Sequence, residues 1–299
     1  MVQAHANGIA IEYEVHGDGE PLLLVMGLGG QLVSWPEGWV EGLVARGFQV
    51  ITYDNRDIGL STKTAAPAPT LRQTILGGLF PRTIKTGYHL SDMSDDAAGL
   101  LDALGIASAH VVGMSMGGMI AQELAIRHPA KVRSLTSIMS TTGNRRVGRA
   151  SLRLLWKLRK LLHVPAEQRI TAGVETFRLI SGSHFDEADT RRSIIDGMAR
   201  SDDREGTARQ TAAISASPDR TPGLNRLSVP ALVIHGLQDP LVMPSGGIAT
   251  AKAIPGARLL MFPDMGHNLP NHRWPETFDA IESNARRAAP VASASSVHV

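Results

Sequence analysis

The sequence predicts an α/β protein with a mostly parallel central sheet flanked by helices. Short apolar runs of strand length alternate with longer amphipathic runs of helix length, which is the pattern of parallel α/β folds. The alternation stops between residues 143 and 227, where several helical stretches are separated by Gly, Pro and Ser. A chain of 299 residues exceeds one typical domain but suits a large α/β core that carries an insertion.

The predicted elements follow that alternation in order. Strands are expected over residues 9–15, 22–26, 48–53, 110–112, 132–138, 229–235 and 257–262, because each is a short apolar run. Helices are expected over residues 39–46, 91–104 and 116–127, with another beginning near Pro275. Ser91 is a suitable N-cap, since a short side-chain oxygen accepts hydrogen bonds from free N–H groups. Gly47 and Gly105 mark helix ends.

The change in pattern also predicts the domain organisation. Residues 1–142 and 228–288 form the predicted core, and residues 143–227 form an inserted helical cap over the active site. Residues 289–299 are rich in Ala, Ser and Val, and we expect a disordered tail there.

The composition argues against several function classes. A net charge of +2 is too small for a nucleic-acid-binding protein, although the pI is about 9.1. We find no apolar stretch long enough to span a membrane and no leader pattern, so a cytoplasmic location is expected. The chain has no cysteine and no histidine pair at metal-ligand spacing, so neither a metal nor another cofactor is expected. We expect a monomer or a homodimer.

The most informative motif is Gly113-Met114-Ser115-Met116-Gly117, which lies between an apolar run and a helical run. A strand that turns sharply into a helix forces its central residue into strained geometry, and small flanking residues let the turn close. Gly113 and Gly117 supply the small residues. Ser115 would then be exposed beside the free N–H groups of a helix N-terminus, as a nucleophile requires.

An acid and a base follow the serine in the order that this architecture requires. Asp239 lies in the loop after the strand predicted at 229–235, and His267 lies in the loop after the strand at 257–262. A serine hydroxyl is a poor nucleophile at neutral pH, so a neutral imidazole must accept its proton. The carboxylate then fixes the imidazole tautomer and stabilises the imidazolium.

The full pattern resembles the serine esterases of the α/β-hydrolase superfamily. Residues 22–29 (LLLVMGLG) resemble the segment that supplies an oxyanion donor after the third strand. Residues 53–61 (YDNRDIGLS) resemble the family's D-x-R-G-x-G-x-S loop, and residues 263–267 (PDMGH) resemble its histidine loop. The residues of these motifs are most similar to those of actinobacterial esterases of the aclacinomycin methylesterase type. The resemblance covers residues 9–142 and 226–288.

The resemblance implies a role for each matching residue. It makes Ser115 the nucleophile, His267 the base and Asp239 the orienting acid. It places the oxyanion hole at the backbone N–H groups of Leu28 and Met116, with supporting glycines at Gly27, Gly113 and Gly117. The family often has histidine where this chain has Met26. Because the donor is a backbone amide, that difference affects loop support more than charge stabilisation.

The nucleophile indicates the reaction class. Family members that act on haloalkanes or epoxides carry aspartate at this position, whereas serine indicates acyl transfer. We therefore expect hydrolysis of small-molecule carboxylic esters with short to medium acyl chains, through an acyl-enzyme. A lactonase and a cofactor-free haloperoxidase or perhydrolase with the same triad remain alternatives. A receptor-like relative that binds a ligand without turnover is the alternative outside enzymes.

Several other polar residues are assigned supporting roles. Asp264 is the second candidate for the acid beside His267, and His184 is a candidate for lining the pocket. Asp54 and Arg56 are expected to brace the loop near the oxyanion hole, residues 27–30, which is called the oxyanion loop below. Three histidines beside strands or helix ends are expected to be structural: His110, His128 and His235.

The cap begins with a strongly basic segment, because residues 143–166 contain no acidic residue. On a helix, five cations share one face (Arg146, Arg149, Arg153, Lys157 and Lys160). Leu152, Leu155, Trp156 and Leu162 lie towards another face. We expect that apolar face to cover the pocket and the basic face to be solvated, and we favour this interpretation over contact with an anionic membrane surface.

Overall fold

The computed structural model describes residues 2–68, 86–161, 164–202 and 204–288, which fold around one eight-stranded sheet. Its strands are β1 Val2–Ala6, β2 Ile9–His16, β3 Glu20–Val25, β4 Phe48–Tyr53, β5 Ala109–Met114, β6 Val132–Ile138, β7 Ala231–Gly236 and β8 Arg258–Phe262. The strand order is β1-β2-β4-β3-β5-β6-β7-β8. The β1–β2 and β2–β4 pairs are antiparallel and all the others are parallel. The predicted fold class is therefore confirmed.

Helices cover both faces of this sheet. They are α1 Glu37–Val44, α2 Leu90–Ala103, α3 Met116–Arg127, α4 Leu152–Leu158, α5 Arg169–Ile180, α6 Glu187–Arg200, α7 Arg204–Ala216, α8 Thr221–Leu224, α9 Ser245–Ala253 and α10 Trp274–Ala285. None of these helices, within the ranges described, is long and apolar enough to cross a bilayer.

Strand β3 shows why the central strands are continuous apolar runs. Leu23 and Val25 pack into the layer under α2 and α3, whereas Leu22 and Leu24 pack into the layer under α1 and α10. All four side chains are fully buried. A central parallel strand covered on both sides needs apolar residues at successive positions, which is why these strands could be predicted.

The structure differs from the predicted elements at strand β1 and at the start of helix α2. Strand β1 was not predicted, because its five residues alternate apolar and polar side chains and form only the sheet edge. Helix α2 begins at Leu90, after His89, and Ser91 is already inside it. The backbone N–H of His89 donates to Oδ2 of Asp92 at 2.7 Å. The carboxylate of Asp92, at the third helical position, thus bonds back to the residue before the helix, and the predicted N-cap role of Ser91 is wrong.

The insertion between residues 143 and 227 contains helices α4 to α8, and its described residues include no strand. The division into a core and a cap over residues 143–227 stays a prediction, and "cap" below names these residues. The tail predicted at residues 289–299 lies outside the described residues.

The basic segment at the start of the cap differs from expectation. Leu152, Leu155 and Trp156 expose 85%, 50% and 61% of their surface, so the expected burial of these three side chains was wrong. Leu162, the fourth residue of that predicted face, lies outside the described residues. Helix α4 has only seven residues and buries only Leu154. A helix of two turns that is anchored by one side chain leaves the rest of a wide apolar stripe in solvent.

Candidate active site

Ser115 lies in the sharp turn between β5 and α3. Its φ is +56° and its ψ is −117°, a conformation that costs free energy for any residue with a side chain. The two flanking glycines make the turn possible. A Cβ on Gly113 would lie 2.1 Å from the Gly117 carbonyl oxygen, and a Cβ on Gly117 would lie 1.9 Å from the Val25 carbonyl oxygen. The backbone N–H of Ser115 donates to the Ile138 carbonyl at 2.9 Å, which holds the turn against β6.

The structure brings the three predicted triad residues into one hydrogen-bonded chain. Oγ of Ser115 lies 2.8 Å from Nε2 of His267, and Nδ1 of His267 lies 2.7 Å from Oδ2 of Asp239. Asp239 and His267 expose only 2% and 8% of their surface. These distances let a proton pass from the hydroxyl to the imidazole while the carboxylate holds the far side of the ring.

The carboxylate of Asp239 is held in its ionised form. Burial opposes its charge, but the nearby charge of His267 and hydrogen bonds from His235, His267 and the Val242 N–H outweigh burial and lower the pKa of Asp239 to about 2. Oδ1 accepts from the backbone N–H groups of Leu241 and Val242, both at 2.9 Å. Oδ2 is thereby left for the imidazole.

The histidine loop is fastened to the cap. The backbone N–H of His267 donates to the Ile180 carbonyl at the end of α5, at 2.8 Å. Oδ1 of Asn268 accepts from the N–H groups of Gly182 and Gly266, at 3.1 and 3.2 Å. The orientation of the base therefore depends partly on the cap.

The two predicted oxyanion donors lie on neighbouring segments. Strand β3 pairs with β5 so that Val25 is opposite Gly113, and the chain after β3 consequently runs beside Ser115. A Cβ on Gly27 would lie 3.3 Å from the Ser115 Cβ, so only glycine allows this approach without displacing the serine. Leu28 follows this close contact. Met116 opens α3, where a backbone N–H has no partner inside the helix.

Buried side chains hold the oxyanion loop from two sides, one from the segment after β4 and one from the cap. Nδ2 of Asn55 donates to the Met26 carbonyl at 3.1 Å. From α7, Oε1 of Gln210 accepts from the Gly29 N–H at 3.0 Å, and its Nε2 donates to the Arg56 carbonyl at 2.9 Å. Gln210 is fully buried. It therefore connects the cap to both loops beside the nucleophile.

Asp54 and Arg56 reach different partners. Oδ1 of Asp54 accepts from the Leu32 N–H at 2.7 Å, and its Oδ2 pairs with Nη1 of Arg200 in α6 at 2.6 Å. Asp54 thus supports the chain beyond the oxyanion loop and connects it to the cap. Arg56 pairs with Asp96 of α2 and supports the loop from the core side.

The remaining candidates lie outside this chain of hydrogen bonds. Asp264 bonds to His272 and Arg273 rather than to His267, and His184 is exposed. His110 pairs with Ser134 and Glu20, and His128 pairs with Asp95. Nε2 of His235 bonds to the Val242 carbonyl at 2.7 Å and lies 3.5 Å from Oδ2 of Asp239, so His235 supports the acid.

Comparison with known proteins decides the family. The model of the alpha/beta hydrolase fold family matches residues 20–177, which is more than half of the chain. The chain belongs to the α/β-hydrolase family.

Individual relatives extend the similarity over the whole fold. This α/β hydrolase is 30% identical over 275 residues to the rhodomycin D methylesterase DauP of Streptomyces sp. (strain C5), covering 84% of this chain and 85% of that protein. It is 29% identical over 270 residues to BpoC of Mycobacterium tuberculosis, which carries a provisional assignment as a non-heme bromoperoxidase; the match covers 87% and 91% of the two chains. The predicted resemblance to methylesterases is confirmed.

A solved structure shows the same fold. The enol-lactonase from Burkholderia xenovorans superposes on the α/β hydrolase with a TM-score of 0.69 at 24% identity, covering 95% of this chain and 100% of that one.

Sequence reasoning missed the contacts that reach the site from the cap, as well as the core contact of Asn55 with the Met26 carbonyl. Gln210, Arg200 and the Ile180 carbonyl reach the site from α7, α6 and α5. The cap is the segment where no family motif was recognised, and helical periodicity does not say which turn faces the core. In α7, Gln210 is followed by the small residues Thr211, Ala212 and Ala213, and this was an available indication.

We predict that Gln210→Leu lowers kcat for ester hydrolysis about 10-fold with little change in KM, because a displaced Leu28 N–H weakens mainly the transition state. Steady-state kinetics with an activated ester would measure both constants. The exposed Gln168, also in the cap, provides a matched control, and Gln168→Leu should leave both constants unchanged. An unaltered kcat in Gln210→Leu would remove the positioning role.

Proposed function

We propose that this α/β hydrolase is a serine carboxylic ester hydrolase that works through an acyl-enzyme on Ser115. The observation that supports this most strongly is the chain of two short hydrogen bonds from Ser115 through His267 to Asp239, at 2.8 and 2.7 Å. The Ser115 hydroxyl lies on the turn before α3, beside backbone N–H groups at the N-terminus of that helix.

Acylation begins with attack of the Ser115 Oγ on the ester carbonyl carbon. The hydroxyl proton moves to Nε2 of His267, and Asp239 stabilises the resulting imidazolium through Nδ1. The negative charge that develops on the carbonyl oxygen is stabilised by the N–H groups of Leu28 and Met116. When the tetrahedral intermediate collapses, the C–O bond to the alcohol breaks and His267 returns the proton to the leaving oxygen.

Deacylation repeats these steps with water. His267 removes a proton from the water molecule, the resulting hydroxide attacks the acyl carbon, and the carboxylic acid leaves as Ser115 regains its proton. The same donors stabilise the second intermediate.

The likeness to rhodomycin D methylesterases supports esters of a small alcohol as substrates. We infer short to medium acyl chains on the acid side. Hydrolysis rates of p-nitrophenyl esters of increasing acyl length would test this, with the highest kcat/KM expected at the short end. Greatest activity on emulsions of long-chain esters would contradict it. Product release over many turnovers would also exclude a receptor-like role.

The similarity to BpoC favours one alternative, a perhydrolase that uses the same acyl-enzyme. Hydrogen peroxide in place of water would attack the acyl carbon and release a peracid, which then oxidises a halide. Halide oxidation measured with peroxide in acetate buffer, against ester hydrolysis in the same preparation, separates the two activities. Faster oxidation than hydrolysis would favour the alternative. A lactonase would instead prefer cyclic esters over matched open-chain esters.

Activity is expected to be lower at acidic pH than at neutral pH, because a protonated imidazole cannot accept the serine proton. Asp239 stays ionised near neutral pH, since its pKa is about 2. That pKa lies below the ordinary value of 3.8, so the stabilisation from the carboxylate is present above pH 3.8 and is lost as the pH falls towards 2. A kcat that does not fall at acidic pH would contradict the role of His267 as the base.

A further inference from the structure

Two histidines and an aspartate meet beside the catalytic loop without joining the proposed proton relay. His184 follows α5 in the cap, Asp264 follows β8, and His272 lies in the short turn Asn271–Arg273 before α10. One ligand-capable atom from each lies within 4.8 Å of the others. Nε2 of His272 is 2.7 Å, and Nε2 of His184 is 3.6 Å, from the same Oδ2 of Asp264. Sequence spacing could not reveal this cluster, because its members are distant along the chain.

Two imidazoles and one carboxylate form a ligand set suited to zinc. Zinc sites are tetrahedral, and metal–ligand distances near 2 Å place the ligand atoms about 3.3 Å apart. The two distances to Oδ2 lie on either side of that value. An ion could therefore bind once Nε2 of His272 carries no proton, with that proton moved to Nδ1 or released to water, and once the side chains close the separations between ligand atoms, which are at most 4.8 Å.

Hydrogen bonds outside the cluster already hold its members in place. Nε of Arg273 donates to both carboxylate oxygens of Asp264, at 3.1 Å to Oδ1 and at 3.3 Å to Oδ2, which orients the carboxylate. Oδ2 also faces both imidazoles. Nδ2 of Asn268 donates to the His184 carbonyl at 2.8 Å. Such outer hydrogen bonds commonly orient metal ligands. The Arg273 charge opposes a cation, but its Nη1 also pairs with Glu276 at 3.2 Å, which offsets part of that charge.

The cluster is also accessible to an ion from solution. The His184 and His272 side chains expose 54% and 44% of their surface. A hydrated ion can reach them, and a water molecule can occupy the fourth coordination position.

We propose that His184, Asp264 and His272 bind one divalent transition-metal ion, with Zn²⁺ the best match, and that the ion ties the cap to the catalytic histidine loop. One ligand belongs to the cap and two belong to the segments on either side of His267. The ion would thus hold the cap against the loop that carries the base, in addition to the Asn268 contacts. This inference does not depend on the proposed ester chemistry.

Co²⁺ titration of the full chain after treatment with a chelator tests the site, because Co²⁺ occupies zinc sites and absorbs visible light according to its geometry. We expect one Co²⁺ per chain, displaced by Zn²⁺. His184→Ala and His272→Ala should each weaken binding by about 10-fold or more. The matched control is His16→Ala, because His16 is a surface histidine whose Nε2 lies 3.5 Å from the Glu14 carboxylate but which belongs to no group of three potential metal ligands among the described residues. It should leave the affinity unchanged.

The outcomes separate clearly. No binding at millimolar Co²⁺, or equal affinity in the parent and both cluster variants, would overturn the site. Loss of binding in His272→Ala alone would place the ion on the loop and overturn the bridge to the cap. If the bridge forms, Zn²⁺ should raise the thermal unfolding midpoint of the parent and of His16→Ala, but not of the two cluster variants.

Discussion

Replacing Ser115 with alanine is expected to lower kcat for p-nitrophenyl ester hydrolysis by at least about 10³-fold. The substitution removes the only atom that can form the acyl-enzyme in the proposed mechanism, and His267 then has no hydroxyl to deprotonate. Steady-state kinetics of purified protein would measure the effect. Thermal unfolding of the same samples would show that the variant is folded, since alanine keeps the side chain small enough for the turn.

A serine elsewhere provides the control for this loss. Ser228 is exposed just before β7, far along the chain from the nucleophile turn. Ser228→Ala should keep the parent kcat and KM. If Ser115→Ala retained more than about a tenth of the parent kcat, the chemistry would have to use another group.

Replacing Asp239 with asparagine is expected to lower kcat by roughly 10³- to 10⁴-fold, mainly through the imidazole tautomer. Oδ1 of Asp239 accepts two backbone N–H groups, so the asparagine oxygen is expected to take that position. The amide NH₂ would then face Nδ1 of His267 and donate to it. The imidazole proton would move to Nε2, which could no longer accept the Ser115 proton. Steady-state kinetics would measure the loss.

Asp264 is the matched comparison for Asp239, because it was the rival carboxylate beside the same histidine. It bonds to His272 and Arg273. Asp264→Asn is therefore expected to keep kcat within a few-fold of the parent when both proteins are assayed after treatment with a chelator. A larger loss in Asp264→Asn than in Asp239→Asn would assign the orienting role to Asp264 instead.

The fold and the position of the candidate site could be predicted because their causes are local. A strand that turns this sharply into a helix needs very small residues on both sides of the nucleophile. Gly113 and Gly117 meet this need, since a Cβ at either position would collide with backbone. Parallel strands bring their carboxyl ends to one edge of the sheet, so residues that follow β5, β7 and β8 converge without any knowledge of packing.

The cap could not be predicted in the same way. Its helices show apolar periodicity, but a period does not say which turn meets which loop. The Gln210 contact with Gly29 and the approach of His184 to His272 both depend on how the cap helices rest on the core. The exposed apolar side chains of α4 have the same origin, since sequence shows an apolar stripe but not whether a partner covers it.

The central claim is that one hydroxyl carries the acyl group, and covalent labelling tests it most directly. An organophosphonate that reacts with activated serines should add once per chain, and peptide mass mapping should place the adduct on Ser115. His267→Ala should slow the labelling strongly, because the serine then lacks its base. An adduct on a different hydroxyl, or labelling at the parent rate in His267→Ala, would contradict the account.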